Sequence, residues 1–175
     1  MVLIISQVIG LAAVGLYLLS YQLKSRKQIV WTAFFSNFLY VLQYILLKAF
    51  SGAVMDALCA VGSFFAGKKH SPKLRPYIKW IATINLVVIA VAGVSIAIAQ
   101  RDFIELLPVA GTLFQTGGLW SEDEQTIRKF GLCSAPFWLV YNFISQAYGA
   151  ALGSVLVIIS VVTAMIRYRK KTTDN

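Results

Sequence analysis

The stretch FLYVLQYILLKAFSGAVMDAL, residues 38–58, decides how this chain is organised, because a second stretch repeats its pattern. PFWLVYNFISQAYGAALGSVL, residues 136–156, aligns with it without a gap at an offset of 98 residues. In each stretch an aromatic segment is followed by a short polar break and then by a segment rich in small residues. The alignment predicts an internal duplication in which Tyr40 corresponds to Trp138.

Outward from these two stretches, seven apolar runs fill most of the 175 residues. Most runs are long enough for a helix to cross a hydrocarbon core of about 30 Å, and the third and sixth are shorter. A chain in lipid must satisfy its own backbone hydrogen bonds, which a helix does with local sequence alone. The sequence therefore predicts seven membrane spans, at residues 2–23, 29–47, 52–67, 78–99, 103–120, 130–144 and 149–166.

The basic residues predict the orientation of these spans. Of the sixteen Lys and Arg residues, fourteen lie in every second connection or in the C-terminal tail, and Lys48 and Arg101 are the exceptions. By the positive-inside rule these connections are cytoplasmic, so the N-terminus lies outside and the C-terminus inside. We interpret the net charge of +9 as a set of topology determinants facing anionic lipid, not as a nucleic-acid surface.

The offset of 98 aligns the first three runs with the last three, and both sets begin outside and end inside. The predicted fold is therefore all-α, with two parallel three-helix units joined by a linker helix. The first unit comprises residues 1–70, the linker 71–100, and the second unit with its basic cytoplasmic tail 101–175. Cys59 and Cys133 lie in apolar runs, and we expect two unpaired packing cysteines.

Two stretches resemble the YgjV family of bacterial inner-membrane proteins: SGAVMDALCAVGSFFAGKKH at 51–70, and the second-half run from LPVAGTLFQTGGLWS to PFWLVYNF. The three-plus-one-plus-three arrangement also resembles the SWEET and PQ-loop transporters, whose helices bend at prolines. Of their Pro-Gln motif only Gln22 matches here. The resemblance implies hinges at Pro108 and Pro136, although Pro108 can equally be a packed kink.

Polar residues within the spans mark a candidate site, because such residues cost free energy unless they meet a partner or line a cavity. Aromatic walls with a few amides and hydroxyls suit a small polar solute. The alternative is that these groups join helices through interhelical hydrogen bonds. The candidate binding residues are Ser36, Asn37, Tyr40, Gln43, Asn85, Gln115, Ser134, Trp138, Tyr141 and Asn142.

Asp56 is the acid best placed to lie within a span, about one turn into the third helix. Desolvation would favour its protonated form, which makes it a candidate for proton coupling. It can instead pair with Lys48 or Arg101, and this structural pairing is the interpretation that we favour.

We therefore predict a multi-pass protein of the bacterial inner membrane that transports a small polar metabolite by alternating access. A non-transporting scaffold, receptor or assembly factor is the first alternative, and scramblase-like lipid handling is the second. We expect no enzymatic activity, because no nucleophile–base pair or metal-ligand spacing occurs. We expect no cofactor and no nucleic acid; the expected partners are membrane lipid, an unknown small-molecule substrate and a second copy in a possible homo-oligomer.

Overall fold

The computed structural model describes residues 2–169, and this part of the chain is helical with no strand. Lys170 and Lys171 of the predicted basic tail lie outside the described residues. Two short 3-10 turns, Arg75–Tyr77 and Phe103–Glu105, precede the fourth and fifth helices. The seven α-helices of the described residues are α1 (Val2–Gln22), α2 (Arg26–Leu46), α3 (Phe50–Gly67), α4 (Ile78–Gln100), α5 (Leu106–Leu119), α6 (Glu124–Ile144) and α7 (Tyr148–Arg169).

The sixth helix begins six residues before the apolar run that predicted it. Asp123 caps its first turn, since the carboxylate accepts a hydrogen bond of 2.7 Å from the backbone N–H of Thr126. Arg128 lies in the next turn and is 2% exposed, with its guanidinium bonded to backbone carbonyl groups. Hydropathy alone predicts that α6 starts at Phe130. A hydropathy average cannot show that the polar turns before Phe130 are helical, because their stability comes from a helix cap and from side-chain hydrogen bonds.

Six of the helices form a closed ring, and α4 lies outside it. Around the ring, α1 packs on α2, α2 on α3, α3 on α5, α5 on α6, α6 on α7, and α7 again on α1. The helix α4 packs against α3, α5 and the 3-10 turn Phe103–Glu105. Its side chains facing away from the ring are exposed and apolar: Ile84, Val87, Val88, Val91, Val94 and Ile98.

Five of the described helices are long and apolar enough to cross a membrane: α1, α2, α3, α7 and the segment that contains α4. The helix α5 has only 14 residues, and the polar first turns of α6 lower its hydropathy. Five of the seven predicted spans are therefore candidates by length and composition, and for α5 and α6 the span stays a prediction.

The ends of α2 and α6 have the same geometry at positions 98 residues apart. Lys48 and Gln146 both adopt the left-handed conformation, with φ of 59° and 58°. The backbone N–H of the next residue bonds to the carbonyl oxygen five residues earlier in both cases, Ala49 to Tyr44 at 2.9 Å and Ala147 to Asn142 at 2.9 Å. This is the Schellman arrangement that ends many helices, and in both places it reverses the chain into the next helix.

A pair of serine hydrogen bonds shows the same spacing within the helix packing. The Ser36 hydroxyl donates to the carbonyl oxygen of Ala13 at 2.8 Å, which joins α2 to α1. The Ser134 hydroxyl donates to the carbonyl oxygen of Gly111 at 2.8 Å, which joins α6 to α5. Both hydroxyl groups are buried, so each one depends on its carbonyl partner.

We expect Ser36→Ala and Ser134→Ala each to lower the free energy of unfolding by about 1 kcal/mol, because each loses one buried hydrogen bond. Reversible denaturation of the purified protein in mixed micelles measures the change. Ser95→Ala on the exposed face of α4 is the matched control, and we expect it to cause no loss. If both variants match the control, these bonds do not hold the helix pairs.

Candidate functional site

A narrow cavity lies inside the ring, and all six ring helices contribute to its wall. The space open to the centre of a water molecule is about 30 Å³, which holds two or three waters and excludes a metabolite in this conformation. The lining residues are Tyr17, Asn37, Tyr40, Tyr44, Asp56, Gln115, Gly131, Ser134, Ala135, Trp138, Asn142, Ser154 and Val157.

Six of the ten binding residues predicted from the sequence line this cavity: Asn37, Tyr40, Gln115, Ser134, Trp138 and Asn142. The other four lie elsewhere. Ser36 is fully used in the bond to Ala13, and the Gln43 amide is buried against Gly10 without a hydrogen-bond partner. Asn85 donates to the carbonyl oxygen of Leu58 at 3.2 Å, which ties α4 to α3.

The fourth of these, Tyr141, stands one helical turn beyond Trp138 and lines a different space, described below. For Ser36 and Asn85 the alternative interpretation, interhelical hydrogen bonding, is the one that the contacts support. The helical spacing predicted which face of α2 and α6 is buried. It did not distinguish the residues of that face that point between helices from those that reach the cavity.

The amides of the cavity bond to each other and to their neighbours. The Gln115 side-chain nitrogen donates to the Asn37 oxygen at 3.0 Å and joins α5 to α2. The Asn37 nitrogen in turn lies 3.3 Å from both the Cys59 sulfur and the Ser63 hydroxyl oxygen on α3. Both amides therefore have their principal hydrogen bonds within the protein.

The aromatic side chains of the cavity form a continuous array. Tyr44 stacks on Trp138 with ring centroids 6.0 Å apart and on Tyr40 with centroids 6.2 Å apart. Tyr17 meets Tyr40 edge to face at 6.5 Å. The Tyr44 hydroxyl donates to the Asn142 side-chain oxygen, which links α2 directly to α6 across the ring. Sequence spacing identified Tyr40 and Trp138 in this array, and Tyr17 and Tyr44 are additions from the structure.

Asp56 lines the cavity and is 3% exposed. It lies almost two turns into α3, deeper than the sequence predicted. The favoured pairing with Lys48 or Arg101 is wrong, because no ion pair joins them in residues 2–169. Lys48 and Arg101 instead occupy left-handed turns that follow α2 and α4.

The cavity wall consists largely of residue pairs that are 98 positions apart. Five pairs occur: Tyr17 with Gln115, Asn37 with Ala135, Tyr40 with Trp138, Tyr44 with Asn142, and Asp56 with Ser154. Five pairs of positions 98 residues apart therefore face one common space. The paired residues differ in chemistry, so the first half supplies the acid and three tyrosines, and the second half supplies the indole and two amides.

At one end of the ring, here called the basic end, two buried arginines bond to helix C-termini. The Arg26 guanidinium donates to the carbonyl oxygens of Leu119 at 2.9 Å and Ser121 at 2.7 Å, at the end of α5. The Arg128 guanidinium donates to those of Tyr21 at 3.2 Å and Leu23 at 3.0 Å, at the end of α1. The four carbonyl groups form two pairs 98 residues apart, Tyr21 with Leu119 and Leu23 with Ser121.

Lys69 completes the basic end. Its ammonium group donates to the carbonyl oxygens of Trp120 and Ser121, both at 3.0 Å, and lies 2.8 Å from the Glu122 carboxylate. The hydrogen bond from Lys69 holds the pKa of Glu122 below its usual value. Three of the basic residues that we predicted as lipid-facing topology determinants are thus also helix caps, since cations stabilise helix C-termini.

At the opposite end, Tyr141 separates the cavity from an open vestibule of about 460 Å³. Its ring contacts Tyr44 and Trp138 with centroid distances of 6.1 and 6.0 Å. Its hydroxyl accepts from the Gly52 backbone N–H at 3.0 Å and shares a hydrogen bond of 2.9 Å with Ser51. Because Gly52 has no side chain, the tyrosine can reach that backbone N–H.

The Ser51 hydroxyl also donates to the carboxylate of Glu105, which lines the vestibule. The hydroxyl groups of Tyr141 and Ser51 and the carboxylate of Glu105 therefore form one hydrogen-bonded chain, here called the latch. It connects α6 to α3 and to the turn before α5. Ser51 and Glu105 were not among the predicted site residues, because neither belongs to the polar faces of α2 and α6.

The two predicted hinge prolines occupy unlike positions. Pro136 lies in the middle of α6, where it cannot donate to the carbonyl oxygen of Leu132. Pro108 is the third residue of α5, in the first turn, where a helix has no bond for the missing N–H to break. The hinges at Pro108 and Pro136 both stay predictions.

In the described part of the chain, no cluster of three His, Cys, Asp or Glu side chains is placed to hold a metal ion. A family model, Imp-YgjV, described as bacterial inner membrane protein, matches residues 4–172 and so includes every helix of the ring. No curated protein and no solved structure matches the chain. The predicted resemblance to the YgjV family is confirmed, and the resemblance to SWEET and PQ-loop transporters stays a prediction.

Proposed function

The chain belongs to the Imp-YgjV family of bacterial inner membrane proteins, and we propose that it moves a small polar solute across the inner membrane by alternating access. The observation that carries the proposal is the cavity inside the ring, which is lined by five pairs of residues 98 positions apart. Transporters built from parallel repeats bind their substrates between the repeats, near the middle of the membrane.

The proposal takes α1–α3 and α5–α7 as two parallel units, with α4 as the linker and the N-terminus outside. Two hydrogen bonds between equivalent positions support this arrangement. The Arg26 backbone N–H donates to the Glu124 carboxylate at 3.2 Å, and the Tyr44 hydroxyl donates to Asn142. A contact between equivalent residues is expected close to the axis that relates two units, so both bonds favour an axis through the middle of the ring.

Each end of the cavity is closed by bonds between the two units. At the basic end, Arg26 of the first unit bonds to α5, and Arg128 of the second unit bonds to α1. At the vestibule end, Tyr141 of the second unit bonds to Ser51 and Gly52 of the first. Opening one end would break the hydrogen bonds at that end and leave those at the other end intact, as alternating access requires.

A bend at Pro136, which lies between Arg128 and Tyr141 in the sequence, would move one end of α6 relative to the other.

Thiol labelling of Ala135→Cys tests this function, because Ala135 lines the cavity and its substitution is small. The labelling uses a Cys133→Ala background, impermeant cationic and anionic thiosulfonates, and vesicles of both orientations. We expect modification from both membrane faces, because each face gains access in turn. Ala164→Cys is the matched control, since Ala164 is fully buried in α7 outside the cavity wall and should not react.

Two results would contradict alternating access. Protection of the Ala135→Cys thiol from both faces would favour a scaffold, receptor or assembly factor with a sealed interior. Lipid scrambling by the purified protein in vesicles, with the same thiol unreactive, would favour the lipid-handling alternative.

A further inference from the structure

We propose that the cavity binds a small organic cation, a primary amine or a quaternary ammonium group, with Asp56 as its counter-ion. This inference rests on the proposed function and names the substrate class of the same site. Three features of the cavity support it: the acid, the aromatic walls, and a wall that holds no Lys or Arg among the described residues.

The first feature is the carboxylate of Asp56. It lines the cavity at 3% exposure, and within residues 2–169 it makes no hydrogen bond and no ion pair. Carboxyl groups buried in proteins are as a rule hydrogen-bonded or paired with a cation. Its equivalent in the second unit is Ser154, which is already bonded to Ala150 and Asn142. The cavity wall therefore has one acidic side chain, on one side.

The second feature is the aromatic surface around that charge. Four aromatic side chains line the same cavity: Tyr17, Tyr40, Tyr44 and Trp138. Each ring contacts the next one in this order. Aromatic faces attract cations through the ring quadrupole, tryptophan most strongly, and cages of such rings recognise quaternary ammonium groups. A carboxylate beside several aromatic rings thus favours a cation with apolar substituents over a small inorganic ion, which would need more oxygen ligands.

The third feature concerns the classes of ligand that the cavity does not favour. Its wall contains no Lys or Arg, and Arg26 and Arg128 are both committed to backbone carbonyls at the basic end. An anion would therefore meet Asp56 without a compensating charge. A neutral polyol needs free amides, but the Asn37 amide is already bonded to Gln115 and to α3.

The test is a thermal-shift titration of the purified full chain with methylammonium and tetramethylammonium chloride. Methanol and tert-butanol are the neutral counterparts, and sodium chloride controls for ionic strength. A cation that binds the folded protein raises its apparent melting temperature with concentration. We expect a shift with at least one cation and none with the alcohols. Asp56→Asn should weaken the apparent affinity by about tenfold or more, and Asp56→Glu should retain part of it.

Asp102→Asn is the matched control, because it removes an exposed acid beside the vestibule end and should leave the shift unchanged. If Asp56→Asn does not fold, protection of the Ala135→Cys thiol replaces it. Methylammonium or tetramethylammonium should then slow modification by a neutral maleimide in vesicles, and tert-butanol should not.

Two results would overturn the inference. One is equal stabilisation of wild type and Asp56→Asn, and the other is no effect of either cation on melting or on thiol protection. If the Ala135→Cys thiol is nevertheless labelled from both membrane faces, alternating access stands and only the substrate class is wrong. If the thiol is unreactive from both faces, the proposed function fails first.

Discussion

Tyr141→Ala should lower the free energy of unfolding by about 3–5 kcal/mol and open the cavity to the vestibule. The ring is 2% exposed and packs against Tyr44 and Trp138, so its removal leaves a void that the helices can fill only in part. The same truncation removes the wall between the two spaces. Labelling of Ala135→Cys from the vestibule side should become faster, while labelling from the basic end should not.

Tyr141→Phe distinguishes the contribution of the aromatic ring from that of the hydrogen bonds of the latch. It keeps the ring but leaves the Gly52 backbone N–H without its acceptor and Ser51 with one partner fewer. We expect a loss of about 1–2 kcal/mol and a smaller gain in labelling than for Tyr141→Ala. Equal labelling by both variants would mean that the hydrogen bonds, and not the ring, close this end.

Arg26→Met should lower the free energy of unfolding by about 3 kcal/mol, the largest loss expected from any basic residue outside α6. Arg26 is 8% exposed, and its guanidinium bonds to three backbone carbonyls, on Ala66, Leu119 and Ser121. Each hydrogen bond from the charged guanidinium contributes about 1 kcal/mol or more, although the Ser121 carbonyl keeps Lys69 as a second donor. Chemical denaturation in mixed micelles measures the loss.

The matched control is Arg75→Met, because Arg75 is exposed in the connection between α3 and α4. We expect it to change stability by less than about 0.5 kcal/mol. A loss for Arg26→Met no larger than this would assign Arg26 to membrane topology alone. Labelling adds a second measurement, since the loss of the bonds to α5 should admit reagents from the basic end to the Ala135→Cys thiol.

Hydropathy predicted the helices well because a span in lipid is set by local composition. The predicted runs at 2–23 and 78–99 end within a residue or two of α1 and α4. The predicted starts at residues 103 and 130 differ from those of α5 and α6, which begin at Leu106 and Glu124. There the helix starts are set by Pro108 in a first turn and by the Asp123 cap, which are specific local interactions that a hydropathy average does not contain.

The candidate site was predicted in part. Helical spacing located the polar faces of α2 and α6, and so it identified Tyr40, Trp138 and Asn142 in the cavity wall. It also selected Ser36 and Gln43, which share that face but point into helix contacts. A buried helical face is wide enough to include both kinds of residue. The positions of the neighbouring helices decide which residues of that face line the cavity and which lie in helix contacts.

The sequence by itself determined the number and approximate extent of the helices, the excess of basic residues in alternate connections, and the 98-residue correspondence between halves. All three follow from local composition and from the order of residues. The tertiary structure decided which polar groups are satisfied. It turned Arg26, Lys69 and Arg128 into helix caps and Tyr141 into a barrier, and it left Asp56 in the cavity without a protein partner. Those outcomes depend on which atoms meet within about 3 Å across different helices, and residues distant in sequence meet only when the ring closes.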